Sequence, residues 1–235
     1  MRCLCFLIVA FAVSIACYGQ SALTLSDNFI ETLPPKSGSE EWSALNRSNA
    51  FGVKLVGGKL AISKVEQRNS TELKIPKGML VGVDHGEWGG KLIFKPTLKT
   101  KESVEIKSGN IQFIFSFQDK IYFIEGLAHL SISEGSLYEL SISNQKFTYR
   151  KILDFEDAPE AFTIYRDRLL IVTHKNFYLL KDFKKKLIFK DAFWQTLYPN
   201  SIAAIDEQTI YIGLRGGIVR LDLVKKTMKF YKPRN

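Results

Sequence analysis

The segment Asp84-His85-Gly86-Glu87-Trp88-Gly89-Gly90 concentrates more chemistry than any other stretch of the chain. Asp84, His85 and Glu87 place three polar groups beside the large apolar surface of Trp88, and the glycines permit positive φ and close backbone approach. Such a set suits binding. The indole is a platform for a sugar or a peptide, and the carboxylates accept its hydrogen bonds. His85 and Glu87 are also a conceivable metal pair, but no regular ligand spacing accompanies them. The competing structural reading is a glycine-shaped hairpin whose Asp84 and His85 satisfy backbone groups while Trp88 packs on a neighbour.

The other histidines sit in comparable surroundings, His129 in Glu125-Gly126-Leu127-Ala128-His129-Leu130 and His174 in Thr173-His174-Lys175-Asn176. Arg215, in Leu214-Arg215-Gly216-Gly217, holds the corresponding place near the C-terminus. A further pair of candidates follows prolines: Glu160 in Ala158-Pro159-Glu160-Ala161-Phe162, and Asn200 in Tyr198-Pro199-Asn200-Ser201-Ile202. Proline fixes the approach to the segment behind it. Glu160 and Asn200 could hold a metal or a polar ligand, or could fasten neighbouring elements by hydrogen bonds. No Gly-x-Ser-x-Gly elbow, His-Glu-x-x-His helix, phosphate loop or dinucleotide fingerprint is present. Carboxylate pairs such as Glu40-Glu41 do not by themselves argue glycoside hydrolysis.

The elements that must position these residues are strands. Runs of four to eight residues rich in Ile, Val, Phe and Tyr alternate with turn residues. Only Ser39 to Asn49 and Ala192 to Leu197 suit a helical turn or two. The strands recur in groups: Asp119 to Ile124, Asp167 to Val172 and Glu207 to Ile212 occupy equivalent places, spaced by 48 and 40 residues. Leading strands precede them at Ile111 to Phe117, Ala161 to Tyr165 and Ser201 to Ile205, and two further strands follow each. Four strands in each 40 to 48 residues is the signature of a propeller blade. A shorter similarity, offset by 31 to 32 residues, relates Gly58 to Gly78 with Gly90 to Gly109. The expectation is an all-β chain: a small β-propeller of about five four-stranded blades, with a first blade assembled from both chain ends as one variant of it. A β-sandwich or a barrel of short meanders is the alternative. In a propeller, His85, His129, His174 and Arg215 would share one face with the connections between blades, where binding sites gather.

Residues 1 to 19 have the layout of a secretory signal peptide: Met1-Arg2, an apolar run from Cys3 to Ala16, then the polar Gly19-Gln20-Ser21. Residues 20 to 235 are then one propeller-like domain. All three cysteines, Cys3, Cys5 and Cys17, lie in or beside this leader, so cleavage after Gly19 leaves neither disulfides nor thiolate chemistry. Ser14-Ile15-Ala16-Cys17 also resembles a bacterial lipobox, which makes lipidation of Cys17 the alternative to ordinary cleavage. Past the leader, nothing approaches the roughly 18 uninterrupted apolar residues of a membrane-spanning helix.

The formal charge of +9 is uneven. Residues 18 to 175 carry 20 Lys and Arg against 19 Asp and Glu, whereas residues 176 to 235 carry 12 against 5. Lysines at outer hairpins such as Lys184-Lys185-Lys186 guard exposed sheet edges. They could also favour an acidic partner. A nucleic-acid groove would want basic residues interleaved with exposed aromatics along one surface, which this pattern does not require, so nucleic acid is not the expected partner.

Taken as a set, Gly82 to Gly90, Glu125 to Leu130, Ala158 to Phe162, Tyr198 to Ser201 and Tyr211 to Gly217 resemble a little-characterised family of exported bacterial proteins with propeller-like strand repeats. That resemblance spans roughly residues 78 to 223 and implies export, with no activity to carry over. The Pro199-Asn200 step is similar to one in metal-dependent lactonase-type propellers, whose full ligand set this chain lacks. The expected function is an exported binding protein of the periplasm, cell envelope or extracellular space, with a protein, peptide or glycan ligand and no cofactor. The alternative is a metal-assisted hydrolase or lyase that uses His85, Glu87, His129, Glu160 and Asn200 around a divalent ion at the propeller mouth.

Overall fold

The computed structural model describes residues 25, 28–65, 69–98, 100–144 and 146–234. The leader, with Cys3, Cys5 and Cys17, lies outside the described residues. Near the N-terminus come β1 (Phe29–Thr32) and α1 (Glu40–Asn46), then β2 (Phe51–Val56) and β3 (Lys59–Lys64). Four groups of four follow: β4 (Ser70–Ile75), β5 (Gly78–Asp84), β6 (Gly90–Pro96) and β7 (Val104–Ser108) form the first of them. The second is β8 (Ile111–Phe117), β9 (Lys120–His129), β10 (Ile132–Ser143) and β11 (Lys146–Phe155). The third is β12 (Pro159–Tyr165), β13 (Arg168–Thr173), β14 (Phe177–Lys181) and β15 (Lys184–Phe189). The last is β16 (Ser201–Asp206), β17 (Thr209–Leu214), β18 (Gly217–Asp222) and β19 (Thr227–Pro233).

Each group is a separate antiparallel meander, and β2 pairs with β3 in a fifth sheet. The fold is a small β-propeller of five sheets, neither a two-layer sandwich nor a closed barrel. Two sheets depart from the four-stranded expectation. The β2–β3 sheet has only two strands, and the last sheet has five because β1 adds to the outside of β19, with Phe29 opposite Pro233 and Thr32 opposite Phe230. Thus both chain ends do meet, but on the last blade, where Glu31 accepts hydrogen bonds from Lys229 and Tyr231 at 3.0 and 3.1 Å. The similarity between residues 58–78 and 90–109 is not a blade repeat: β3 and β4 belong to different sheets, while β6 and β7 are partners.

Local chemistry explains the meanders. Two-residue turns with both φ values positive join β2 to β3 (Gly57, Gly58), β8 to β9 (Gln118, Asp119) and β14 to β15 (Asp182, Phe183). Their twist matches that of the flanking strands. Ser39 caps α1 by accepting from the Trp42 N–H at 3.2 Å, as the Ser39 start suggested. Ala192 to Leu197 instead forms isolated turns around the fully buried Trp194.

The second strand of each four-stranded sheet is buried on both faces, and alternate residues feed different interfaces. Tyr122 and Ile124 pack with Leu169, Ile171 and Tyr178 of the next sheet, while Phe123 packs back on Leu80 and Leu92. Leu170 and Val172 join Ile210, Ile212 and Trp194, and Tyr211 joins Val53 of the two-stranded sheet. Four apolar interfaces therefore link the five sheets in succession. The lysine-rich β15 is the outer edge of its sheet, where its charges oppose pairing with another chain.

Truncating Leu170, which is fully buried, should cost about 3 kcal/mol through lost transfer energy and the cavity left behind. Urea unfolding of Leu170→Ala against wild type checks this. A loss below about 1 kcal/mol would mean that the interface collapses freely around the gap.

Candidate functional site

The Asp84–Gly90 segment forms a 3-10 turn, Gly86–Trp88, between β5 and β6. Asp84 holds the turn from both sides: one carboxylate oxygen accepts from the Gly86 N–H at 2.8 Å, the other from Gln112 Nε2 of the next sheet at 2.7 Å. Asn110 Nδ2 donates to the Gly86 carbonyl at 2.7 Å. Glu87 meets His129 Nε2 at 2.9 Å. His85 contributes its backbone N–H to the Gly89 carbonyl and leaves its side chain exposed. Trp88 does not pack on a neighbour: it is 84% exposed. His129, expected in a connection, is the last residue of β9, because the β9–β10 hairpin is longer than the repeat suggested.

A second cluster lies at the start of β12. Glu160 and His174 Nδ1 are 2.7 Å apart, their side chains only 12% and 14% exposed. The β13–β14 turn that carries His174 is held by a buried polar network. Asp157 accepts from the Lys175 N–H and from Asn176 Nδ2, both at 2.8 Å, and Asn176 Oδ1 accepts from the Asp191 N–H at 3.0 Å. The second carboxylate oxygen of Glu160 is buried without a hydrogen-bond partner. Burial disfavours the charged form and pushes the Glu160 carboxyl above its ordinary range, while the bond to Glu160 raises the His174 imidazole. The pair is suited to hold a proton between a carboxylate and an imidazole.

Asn200 and Arg215 act as fasteners. Asn200 Nδ2 donates to the Phe51 carbonyl at 3.0 Å, and Ser201 Oγ, which bonds Asn200, accepts from the Val53 N–H at 2.8 Å. Arg215 Nη1 donates to the Asn46 side chain at 2.9 Å, and its guanidinium lies 4.0 Å from the Tyr198 ring centroid. The side chains expected around one centre therefore divide: Glu87 with His129, Glu160 with His174, Asn200 with the β2 backbone. Among the described residues, no three His, Cys, Asp or Glu side chains group in a way that could hold a metal.

Sequence reasoning missed Gln112, Asn110, Asp157 and Asn176. Gln112 and Glu160 occupy the same place in consecutive sheets. The register steps from Ile111 opposite Glu125 to Phe113 opposite Ile124, and from Pro159 opposite Thr173 to Ala161 opposite Val172. Each is the extra residue of a β-bulge, which re-aims its side chain. Asn176 carried a usable signal, as a turn residue after Thr173-His174-Lys175. Nothing local distinguished the rest.

Both Glu160 and His174 bind a proton more tightly in the fold than in the unfolded chain, so the folded state carries the excess protons. Their stabilisation is complete below the unfolded values and is lost as pH rises through the folded ones. The stability of the wild type should therefore fall relative to a Glu160→Gln, His174→Gln double variant, which lacks both titrating groups, as pH increases above 6.5, the ordinary histidine value. Urea unfolding at a series of pH values measures the difference, and a flat difference would contradict the shared proton.

No family model and no curated protein matches this sequence. Solved structures similar in shape include the tricorn protease, at 12% identity and a TM-score of 0.41, over 78% of this chain and 26% of that one. Glucose dehydrogenase is similar at 7% identity and a TM-score of 0.29, over 71% of this chain and 96% of that one. The N-terminal domain of Nup159 is similar at 7% identity and 0.28, over 79% and 65%. Likenesses at this level carry no activity, ligand or partner over to this chain.

Proposed function

We propose that this chain is a non-enzymatic binding protein of the cell envelope, which engages a protein, peptide or glycan through the face bearing the β5–β6 and β9–β10 connections. The observation that supports it best is the exposed, anchored Trp88. Burying a large apolar side chain is worth about 2 kcal/mol or more, so an indole left in water forgoes that gain. The turn beneath it is tied to Asp84, Asn110 and His129 and keeps the ring presented outward. Leu130, 94% exposed, and Ile132 follow His129 directly, adding aliphatic surface at the same rim. An aromatic anchor with a polar pair beside it is the composition of an interface centre. The signal-peptide layout of residues 1 to 19 supports export, and the cationic outer strands would suit an acidic partner.

Glycan and peptide arrays probed with the purified protein should find a ligand, and Trp88→Ala should weaken its capture by about tenfold or more, the range of an interface anchor. The melting temperature of the variant should stay at that of wild type, because the ring makes little contact with the core. Of the three tryptophans, Trp194 is fully buried and Trp42 partly so, which makes a ligand-induced blue shift of fluorescence a direct report on Trp88. Undiminished binding by Trp88→Ala, or robust turnover of a substrate with no ligand captured, would overturn the reading.

A further inference from the structure

Beside the Trp88 turn lies a cavity of about 460 Å³, bounded by the Gly109–Asn110 link between two sheets and by the bases of β9, β10 and β11. Polar side chains line it, and Lys107 adjoins them from outside the lining. Lys107 meets Glu125 at 2.7 Å, the Tyr138 hydroxyl lies beside Glu125 and Ser136, Ser136 Oγ donates to Asp154 at 2.6 Å, and Lys151 meets Asp154 at 2.7 Å. Glu134 adds an exposed carboxylate. Asn110, only 6% exposed, also borders the cavity, and its Oδ1 is buried without a hydrogen-bond partner.

We propose that this cavity is a saccharide subsite, so that the ligand of the Trp88 face is a glycan of at least two rings, one in the cavity and one against the indole. The inference rests on the binding reading above and names its ligand class. Two features select a neutral polyol over an ion. The Glu125 and Asp154 carboxylates are matched by Lys107 and Lys151, which leaves Glu134 as the one unmatched charge among these groups. The lining mixes donors and acceptors closely spaced, as vicinal hydroxyls require. The volume falls in the range of small-molecule sites, about 300–1,000 Å³. Continuity comes from Asn110, a residue of the cavity lining whose Nδ2 bonds the Trp88 turn.

The test is saturation-transfer NMR of the purified protein with maltose, cellobiose and N,N′-diacetylchitobiose at millimolar concentration. At least one should receive saturation at its ring protons. Ser136→Leu, which fills the cavity, should weaken that disaccharide by at least about tenfold, and Glu134→Ala, at an exposed position that leaves the fold alone, by severalfold. Melting curves confirm that both variants fold. No transfer to any probe overturns the proposal, as does wild-type binding by both variants. Trp88→Ala separates the two readings. If it binds the disaccharide as wild type does while Ser136→Leu does not, the cavity stands and the indole platform fails; the reverse pattern leaves the platform and removes the cavity.

Discussion

The architecture depends on one constraint: the middle strands of the sheets are sandwiched, so adjacent residues on a strand must satisfy different neighbours. Tyr122 and Ile124 face one sheet while Phe123 faces the other, and Leu170 and Val172 alternate in the same way with Leu169 and Ile171. A slip of one residue would exchange these sets and leave both interfaces mismatched, which makes register the best-specified property of the fold. It also explains why these strands appear as unbroken apolar runs while the outer strands carry the charge.

Because the apolar interfaces hold the blades side by side, polar residues at the strand ends are free to lock the connections. Asp84 and Gln112 join two sheets across one gap, Asn200 and Ser201 join two others, and Arg215 anchors the end of α1. The bulged residues Gln112 and Glu160 show how little separates a fastener from a candidate site. The amide of Gln112 finds acceptors in Asp84 and the Gly126 carbonyl, whereas Glu160 bonds His174 with one oxygen and leaves the other buried alone.

Burial gives the two carboxylate–imidazole pairs different characters. Glu87 and His129 lie near solvent, where a charge pair contributes little and its value is to orient the turn that carries Trp88. Glu160 and His174 are largely enclosed, where desolvation and mutual attraction together retain a proton. Binding is therefore sought at the exposed pair, and proton-linked behaviour at the enclosed one.

Strands, two-residue turns and the repeat were legible in the sequence, because alternation and turn chemistry are local and have short periods. The all-β propeller, the α1 start at Ser39 and the edge lysines of β15 followed from such signals. What lay beyond reach depended on partners distant in the chain. The pairing of β1 with β19 joins segments about 200 residues apart, and no pattern in Phe29–Thr32 names its partner. The bulges at Gln112 and Glu160 are properties of register between two strands, not of either strand alone. His129 stands out by its type, yet its pairing with Glu87 required the lengthened β9–β10 hairpin to meet the preceding sheet's turn. The sequence by itself thus determined which segments are strands and which residues carry chemistry. Only the tertiary structure decided which of those residues meet, which are buried, and where a cavity remains, because those follow from long-range register and from packing between sheets.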